Sequence, residues 1–163
     1  MERFEDWYRE QHPRLIASLT ALSNDADAAS DAADEAFARA CERWKRVSTM
    51  ASPSGWLHQV GANALRRSKR RRAMEGQRAR PGPDAQQPPL PNPELWAAVR
   101  ALPERQRRAV VLRFLADLPE AEIAEAMSIS RGTVSSTLAG ARRNLEAALV
   151  GRPEHEDSGE VVR

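Results

Sequence analysis

Leu118-Pro-Glu-Ala-Glu-Ile-Ala-Glu-Ala-Met-Ser-Ile-Ser-Arg-Gly-Thr-Val-Ser-Ser-Thr-Leu138 carries two short helical patterns joined by a tight turn. Ile123, Ala124 and Met127 fall on one face of the first helix, and Ile129 plugs the turn. Ser130 can cap the second helix, whose Val134 and Leu138 return to the same core. The small Ala124 lets the two helices cross closely, so the spacing predicts a helix-turn-helix. Ser128 stands where the turn needs a positive φ, which a serine tolerates at a modest cost. The second helix presents Arg131, Thr133, Ser135, Ser136 and Thr137 on its early turns, where a recognition helix meets base edges in the major groove. Arg142 and Arg143 follow, placed to contact phosphate. The same spacing also fits a plain helical hairpin with a solvated polar face. Its exposed side is lean in cations, with Ala139 and Gly140 where lysine or arginine would strengthen phosphate attraction, so this bundle alone is expected to bind DNA weakly.

Outward from this motif the pattern stays helical and β-branched alternation is absent, which gives an all-α fold class. Leu95, Trp96, Val99 and Leu102 form one face, and Val110, Val111, Phe114 and Leu115 form the next. Asn92-Pro93 reads as the cap and first residue of that series. Residues 80–93 contain Pro81, Pro83, Pro88, Pro89, Pro91 and Pro93, too many for packed helices, so this stretch is expected to be an extended linker. Before it, Phe4, Trp7 and Tyr8 begin a short helix that His12-Pro13 is expected to interrupt. A second helix carries Leu15, Ile16, Leu19 and Leu22. A third, with Asn24 as N-cap, runs through Ala28, Ala32, Ala33, Phe37, Cys41 and Trp44. Ser52-Pro53 opens a fourth that buries Trp56, Leu57, Val60 and Ala64 and then turns almost wholly basic. The expected organisation is two small helical bundles on a tether: residues 1–78, a Pro-rich linker over 79–92, a helix-turn-helix bundle over 93–150, and a disordered acidic tail over 151–163.

Charge is distributed unevenly along the chain. Residues 1–65 hold 7 Lys/Arg against 10 Asp/Glu, whereas residues 66–80 hold 8 against 1. An acidic block beside a basic one suggests two kinds of partner, one of them nucleic acid. Cys41 is the single cysteine, which excludes an internal disulfide, and His12, His58 and His155 lack ligand spacing. No metal site, cofactor or catalytic group is expected. The charged start, Met1-Glu2-Arg3-Phe4-Glu5-Asp6, is unlike a signal peptide, and no apolar run is long enough to span a bilayer, so a cytoplasmic protein is expected.

Leu102-Pro-Glu-Arg-Gln-Arg-Arg-Ala-Val-Val-Leu-Arg-Phe114, with Ala121–Met127 and Ser130–Leu138, closely resembles region 4 of the sigma-70 family. Residues 1–72 resemble region 2, and the short two-lobed layout resembles the extracytoplasmic-function class. The resemblance implies that the second lobe reads the −35 element through Arg131, Thr133, Ser135, Ser136, Thr137, Arg142 and Arg143. It also implies that Ser30-Asp-Ala-Ala-Asp-Glu-Ala-Phe37 docks on the clamp helices of core RNA polymerase. Asp31 and Glu35 match the family's acidic motif there, and Asp34 adds to one compact negative patch. Asn63 and the loop from Ser48 and Thr49 to Ala51 are implied to lie near the −10 element and to receive a flipped-out base. Arg66, Arg67, Lys69, Arg70, Arg71 and Arg72 cannot all face one way around a helix, but several of them would flank one DNA strand.

The expected function is therefore a sigma factor that brings polymerase to promoter DNA, with an anti-sigma protein as a further partner and nucleoid association once in the holoenzyme. No enzyme activity and no membrane contact of its own are expected. Two alternatives stay open on the residues alone: a stand-alone helix-turn-helix regulator, and a degenerate sigma that acts as a protein-interaction module.

Overall fold

The computed structural model describes residues 2–76 and 92–151, which form eight α-helices and no strand. The first lobe contains α1 (Phe4–Ser23), α2 (Ala26–Glu42), α3 (Trp44–Val47) and α4 (Pro53–Met74). The second contains α5 (Pro93–Ala101), α6 (Glu104–Phe114), α7 (Glu120–Met127) and α8 (Arg131–Val150). The expected tether over 79–91 and the tail beyond Gly151 lie outside the described residues.

The first lobe is built on a stripe of alanines. Ala28, Ala29, Ala32, Ala33, Ala36 and Ala40 are all buried on α2, and their small size lets α1 and α4 approach its backbone closely. Trp7, Leu15, Leu19, Phe37, Val47, Leu57 and Leu65 complete the core. An aromatic cluster closes one end: Trp7 meets Phe37 edge-on with ring centroids 5.9 Å apart, and Trp44 lies 5.0 Å from Trp7.

Two local expectations are corrected here. Helix α1 runs unbroken through Pro13. The proline forfeits one backbone bond, but Trp7, Gln11, Leu15 and Leu19 on either side of it are all buried, and that packing holds the helix together. Asn24 is not the N-cap of α2. It ends α1 in the left-handed region at φ 53°, donating its N–H to the Thr20 carbonyl, and Asp25 caps α2 by accepting from Ala28 N at 3.0 Å. The caps expected at Ser52, Asn92 and Ser130 all form, accepting from Gly55 N, Leu95 N and Thr133 N respectively.

In the second lobe Ile123, Ala124, Ala126 and Val134 pack with Leu112 and Leu118, and Val99, Leu102, Val110 and Ala141 form a neighbouring core. Leu138 touches both. Ser128 has φ 55° and ends α7, as the turn requires. Phe114 departs from expectation, being 69% exposed. Below it α6 and α8 leave an open hollow of about 350 Å³, with Phe114, Val110 and Leu138 among its walls.

The two lobes also pack on each other, α4 against α7 and α1 against α6. Gln59 Nε2 donates to Ser128 Oγ at 2.7 Å. A Cβ added at Gly55 would stand 2.8 Å from the Glu122 carbonyl oxygen. His58 is 2% exposed and neither ring nitrogen has a partner among the described residues. Burial pushes its pKa down to about 4, and the positive charges of Arg108 and Arg14 push the same way.

A base depressed in this way binds fewer protons packed than free. The packing is therefore at full strength above about 6.5 and weakens as pH falls from there toward about 4, by at most about 3 kcal/mol. Glu122 opposes this: burial raises its carboxyl pKa against a Ser52 hydrogen bond, so its protonation favours the packed form. Replacement of His58 by leucine is expected to remove the acid-induced loss, because the leucine has no proton to take up and leaves no unpaired nitrogen. Thermal melts from pH 7.5 to 4.5 check this, and an identical acid profile in the variant would refute it.

Candidate nucleic-acid interface

Helix α4 starts apolar because its first turns complete the lobe's core, and becomes basic where that core ends. Asn63, Arg67, Arg70 and Arg71 recur at helical spacing on one exposed side. Arg66 and Lys69 turn to another side, lining a hollow shared with Glu104, Arg107 and Arg108 of α6. The cations of the run therefore face more than one way, as expected of a helix. Two of them are tied back to the first lobe. Arg67 is paired with Glu35, and Arg72 Nη1 lies 2.7 Å from Asp25 Oδ2. The Ala28 N–H and the Arg72 guanidinium hold the Asp25 carboxyl below its ordinary range against the opposing effect of burial. Both pairs are only partly covered, so they direct side chains more than they stabilise the fold.

Ser48 is half-buried and Thr49 exposed, in the loop between α3 and α4. Thr49 Oγ1 donates to the Arg46 carbonyl at 2.9 Å. Asn63 lies ten residues beyond Pro53, roughly 15 Å further along α4. The loop precedes α4, and Asn63 stands about three turns into that helix.

The acidic patch divides as well. Asp31 and Asp34 are exposed and make no ion pair among the described residues. Glu35 is half-buried and bound by two guanidinium groups, those of Arg39 at 2.7 Å and Arg67. Glu35 and Arg67, expected from the sequence to serve two different partners, are one ion-paired unit.

On the second lobe, the first turns of α8 project from the cap at Ser130. Thr133 is half-buried, with its hydroxyl 2.8 Å from Ser130 Oγ. Ser135 Oγ donates to Glu120 Oε2 at 2.7 Å, and Ser136 Oγ donates to the Thr133 carbonyl at 3.0 Å. Thr137 is half-buried. Arg131, Arg142 and Arg143 are exposed and unpaired by any carboxylate among the described residues. Sequence reasoning missed Glu120 and Gln106. Gln106 Oε1 accepts from Asn144 Nδ2 at 2.7 Å, and its amide nitrogen would stand 3.0 Å from a Cβ at Gly140. The absence of a side chain at Gly140 gives Gln106 its room, so what read as a missing cation is a packing site.

Arg108 is half-buried. Burial lowers its pKa to about 10, the nearby Arg66 adds to this, and one of its nitrogens donates to the Ala126 carbonyl at 3.1 Å. Among the described residues no group of three or more His, Cys, Asp or Glu side chains could hold a metal ion. No helix among them is long and apolar enough to cross a membrane.

Comparison with known proteins places this geometry. The family model for sigma-70 region 2 matches residues 7–74, and that for sigma-70 region 4 matches residues 93–145. RNA polymerase sigma-E factor of Streptomyces coelicolor is 30% identical over 154 residues, covering 91% of this chain and 87% of that protein. RNA polymerase sigma-E factor of Streptomyces antibioticus is 29% identical over 167 residues, covering 94% and 93%. Among solved structures, the sigma factor RpoE in complex with the anti-sigma factor NepR from Bartonella quintana superimposes with a TM-score of 0.72 at 21% identity, over 92% of this chain and 98% of that one. CnrH in complex with the cytosolic domain of CnrY gives 0.64 at 19% identity, over 92% and 89%.

Proposed function

We propose a mode of action for this chain from one premise: it belongs to the sigma-70 family. It is an RNA polymerase sigma factor of the extracytoplasmic-function type, and it directs transcription initiation with core polymerase and promoter DNA as partners. The observation that carries the reading is the pairing of two surfaces on one chain. The first lobe pairs Glu35 of α2, beside the exposed Asp31 and Asp34, with Arg67 on the basic side of α4, and the second lobe presents a capped helix.

In this reading the first lobe, taken as residues 1–78, docks on polymerase through Asp31, Asp34 and Glu35. Asn63, with the Ser48–Thr49 loop at the other end of the exposed part of α4, handles the opened strand at the −10 element. Arg67, Arg70 and Arg71 run along its phosphates, with the exposed Arg66 and Lys69 on the neighbouring side of the helix. The second lobe, taken as residues 93–150, reads the −35 element with Arg131, Ser135 and Ser136, while Thr133 and Thr137 set the helix and Arg142 and Arg143 contact phosphate. Tethering makes the second contact intramolecular once the first has formed, so two weak readers act as one selective module. Bond formation stays with the polymerase, and no catalytic group is assigned here. An anti-sigma partner fits this fold, since one of the superimposing structures named above is a sigma factor in complex with an anti-sigma factor. The site of action is the cytoplasm, on the nucleoid.

Run-off transcription tests the reading. Core polymerase with this chain should start transcripts at defined sites, and core alone should not; tight footprints without polymerase would favour a stand-alone regulator. Replacement of Asn63 by alanine is expected to slow promoter opening about tenfold while closed-complex formation is nearly unchanged. Permanganate reactivity of the melted bases, read beside a gel-shift assay, separates the two steps. An equal loss at both steps would remove Asn63 from this role.

A further inference from the structure

Elsewhere on the first lobe, Arg14, Arg39, Arg67 and Arg72 each hold a carboxylate. Between α4 and α6 that pattern stops. Arg66 and Lys69 of α4 and Arg107 and Arg108 of α6 line one hollow, and Glu104 is the single acid on its wall. Four positive side chains against one carboxylate leave three positive charges in excess. None of the four cations is ion-paired among the described residues. The hydrogen bonds that two of them make go to main-chain carbonyls instead. Arg107 Nη1 donates to the Arg100 oxygen at 3.3 Å, and Arg108 Nη2 to the Ala126 oxygen at 3.1 Å.

Two further observations show that this cluster is under electrostatic load. Burial and then the Arg66 charge lower the Arg108 pKa, with Glu104 acting against them. Arg107 Nε is buried without a hydrogen-bond partner among the described residues. A buried donor of this kind is uncommon and calls for an acceptor. The buried Leu65 lies on the same wall, so the charges repel through a medium less polar than water. One multivalent anion would answer both needs, screening the repulsion and supplying oxygens to the unfilled donors.

The kind of anion follows from the donors. Guanidinium groups match phosphate oxygens two at a time, and a lysine adds a mobile point charge. A tetrahedral group offers oxygens toward both helices at once, whereas a single carboxylate offers two oxygens and one charge. The hollow is small, about 50 Å³, which admits a compact anion and no duplex. Nucleic acid carries the same phosphate group, but a strand is better served by Arg70 and Arg71 on the open side of α4.

We propose that the hollow between α4 and α6 is a binding site for a free phosphate-type anion, phosphate or pyrophosphate, held by Arg66 and Lys69 from one helix and by Arg107 and Arg108 from the other. The site belongs to the chain by itself and does not depend on how the lobes read promoter DNA. Pyrophosphate is the better match, because its charge is closest to the excess of three and its second phosphate reaches the second helix.

Calorimetric titration of the full chain tests this, with sodium pyrophosphate, inorganic phosphate or acetate added at constant ionic strength. Pyrophosphate should saturate a single site, phosphate should bind it more weakly, and acetate should give no binding. Arg66→Gln with Lys69→Gln should weaken pyrophosphate binding about thirtyfold. Both residues are exposed, so the fold is kept, and circular dichroism checks it. Arg70→Gln with Arg71→Gln removes the same charge from the open side and should change the affinity by about twofold or less. Glu104→Gln should tighten binding about threefold, since it takes away the one repelling carboxylate. Pyrophosphate should also raise the melting temperature of the wild type and not that of the Arg66 and Lys69 variant. No saturable binding of pyrophosphate, or equal losses in the two double variants, would overturn the site. A short single-stranded oligonucleotide is the remaining arm. If its binding, and not that of pyrophosphate, depends on Arg66 and Lys69, those residues serve nucleic acid and the proposal falls.

Discussion

Replacing both Asp31 and Asp34 by lysine is expected to weaken core polymerase binding about 100-fold, with the melting temperature of the chain almost unchanged. Both carboxylates are exposed and neither is held by an ion pair among the described residues, so the fold does not depend on their charge. Exposed substitutions of this kind fall within about 0.5 kcal/mol of neutral. Their value lies in complementarity, and four units of charge reversed at one contact place like charges together. That costs several kcal/mol, and about 2.7 kcal/mol already corresponds to 100-fold. Glu35 is left out of the variant because its reversal would also release Arg67 and Arg39 and so mix two effects. Fluorescence anisotropy with labelled chain and core enzyme reads the affinity. Wild-type affinity in a folded double variant would discard the docking assignment.

The largest effect on stability is expected from Trp7→Ala, at about 3–5 kcal/mol. Trp7 is almost fully buried, and its ring contacts Phe4, Phe37 and Trp44. It thereby joins the start of α1 to the far end of α2 and to α3. Removing it opens a void that these three rings cannot close without leaving their own partners. A lobe of this size has little stability in reserve, so the loss should unfold it while leaving the second lobe folded. Circular dichroism should then show partial melting below the wild-type transition. A single transition shifted by only a degree or two would contradict the central place given to the ring.

The fold was legible in the sequence to the extent that apolar spacing governs it. Ile123, Ala124, Val134 and Leu138 meet as their positions imply, and the caps at Ser52, Asn92 and Ser130 form because hydroxyl and amide side chains before a helical run have few better partners. Ser128 takes the positive φ read for it. Pro13 misled because local propensity was weighed without the buried side chains on both sides of it. Phe114 misled because its spacing matches a core face at a point where α6 and α8 diverge. The contact between lobes left no apolar signature, since Gly55, His58 and Gln59 do not read as core. The individual site residues were readable as types and positions but not as pairs. Glu35 with Arg67, Asp25 with Arg72, Ser135 with Glu120 and Asn144 with Gln106 are each separated by at least fifteen residues, and only the folded chain brings them together.

The bond between Glu35 and Arg67 has a thermodynamic corollary. In the proposed mode of action one carboxylate stands between the surface offered to protein and the surface offered to nucleic acid, so a ligand that draws it away on one side alters the freedom of the guanidinium on the other. Linkage makes such an effect mutual: whatever polymerase does to the grip on the opened strand, the opened strand does to the grip on polymerase by the same factor.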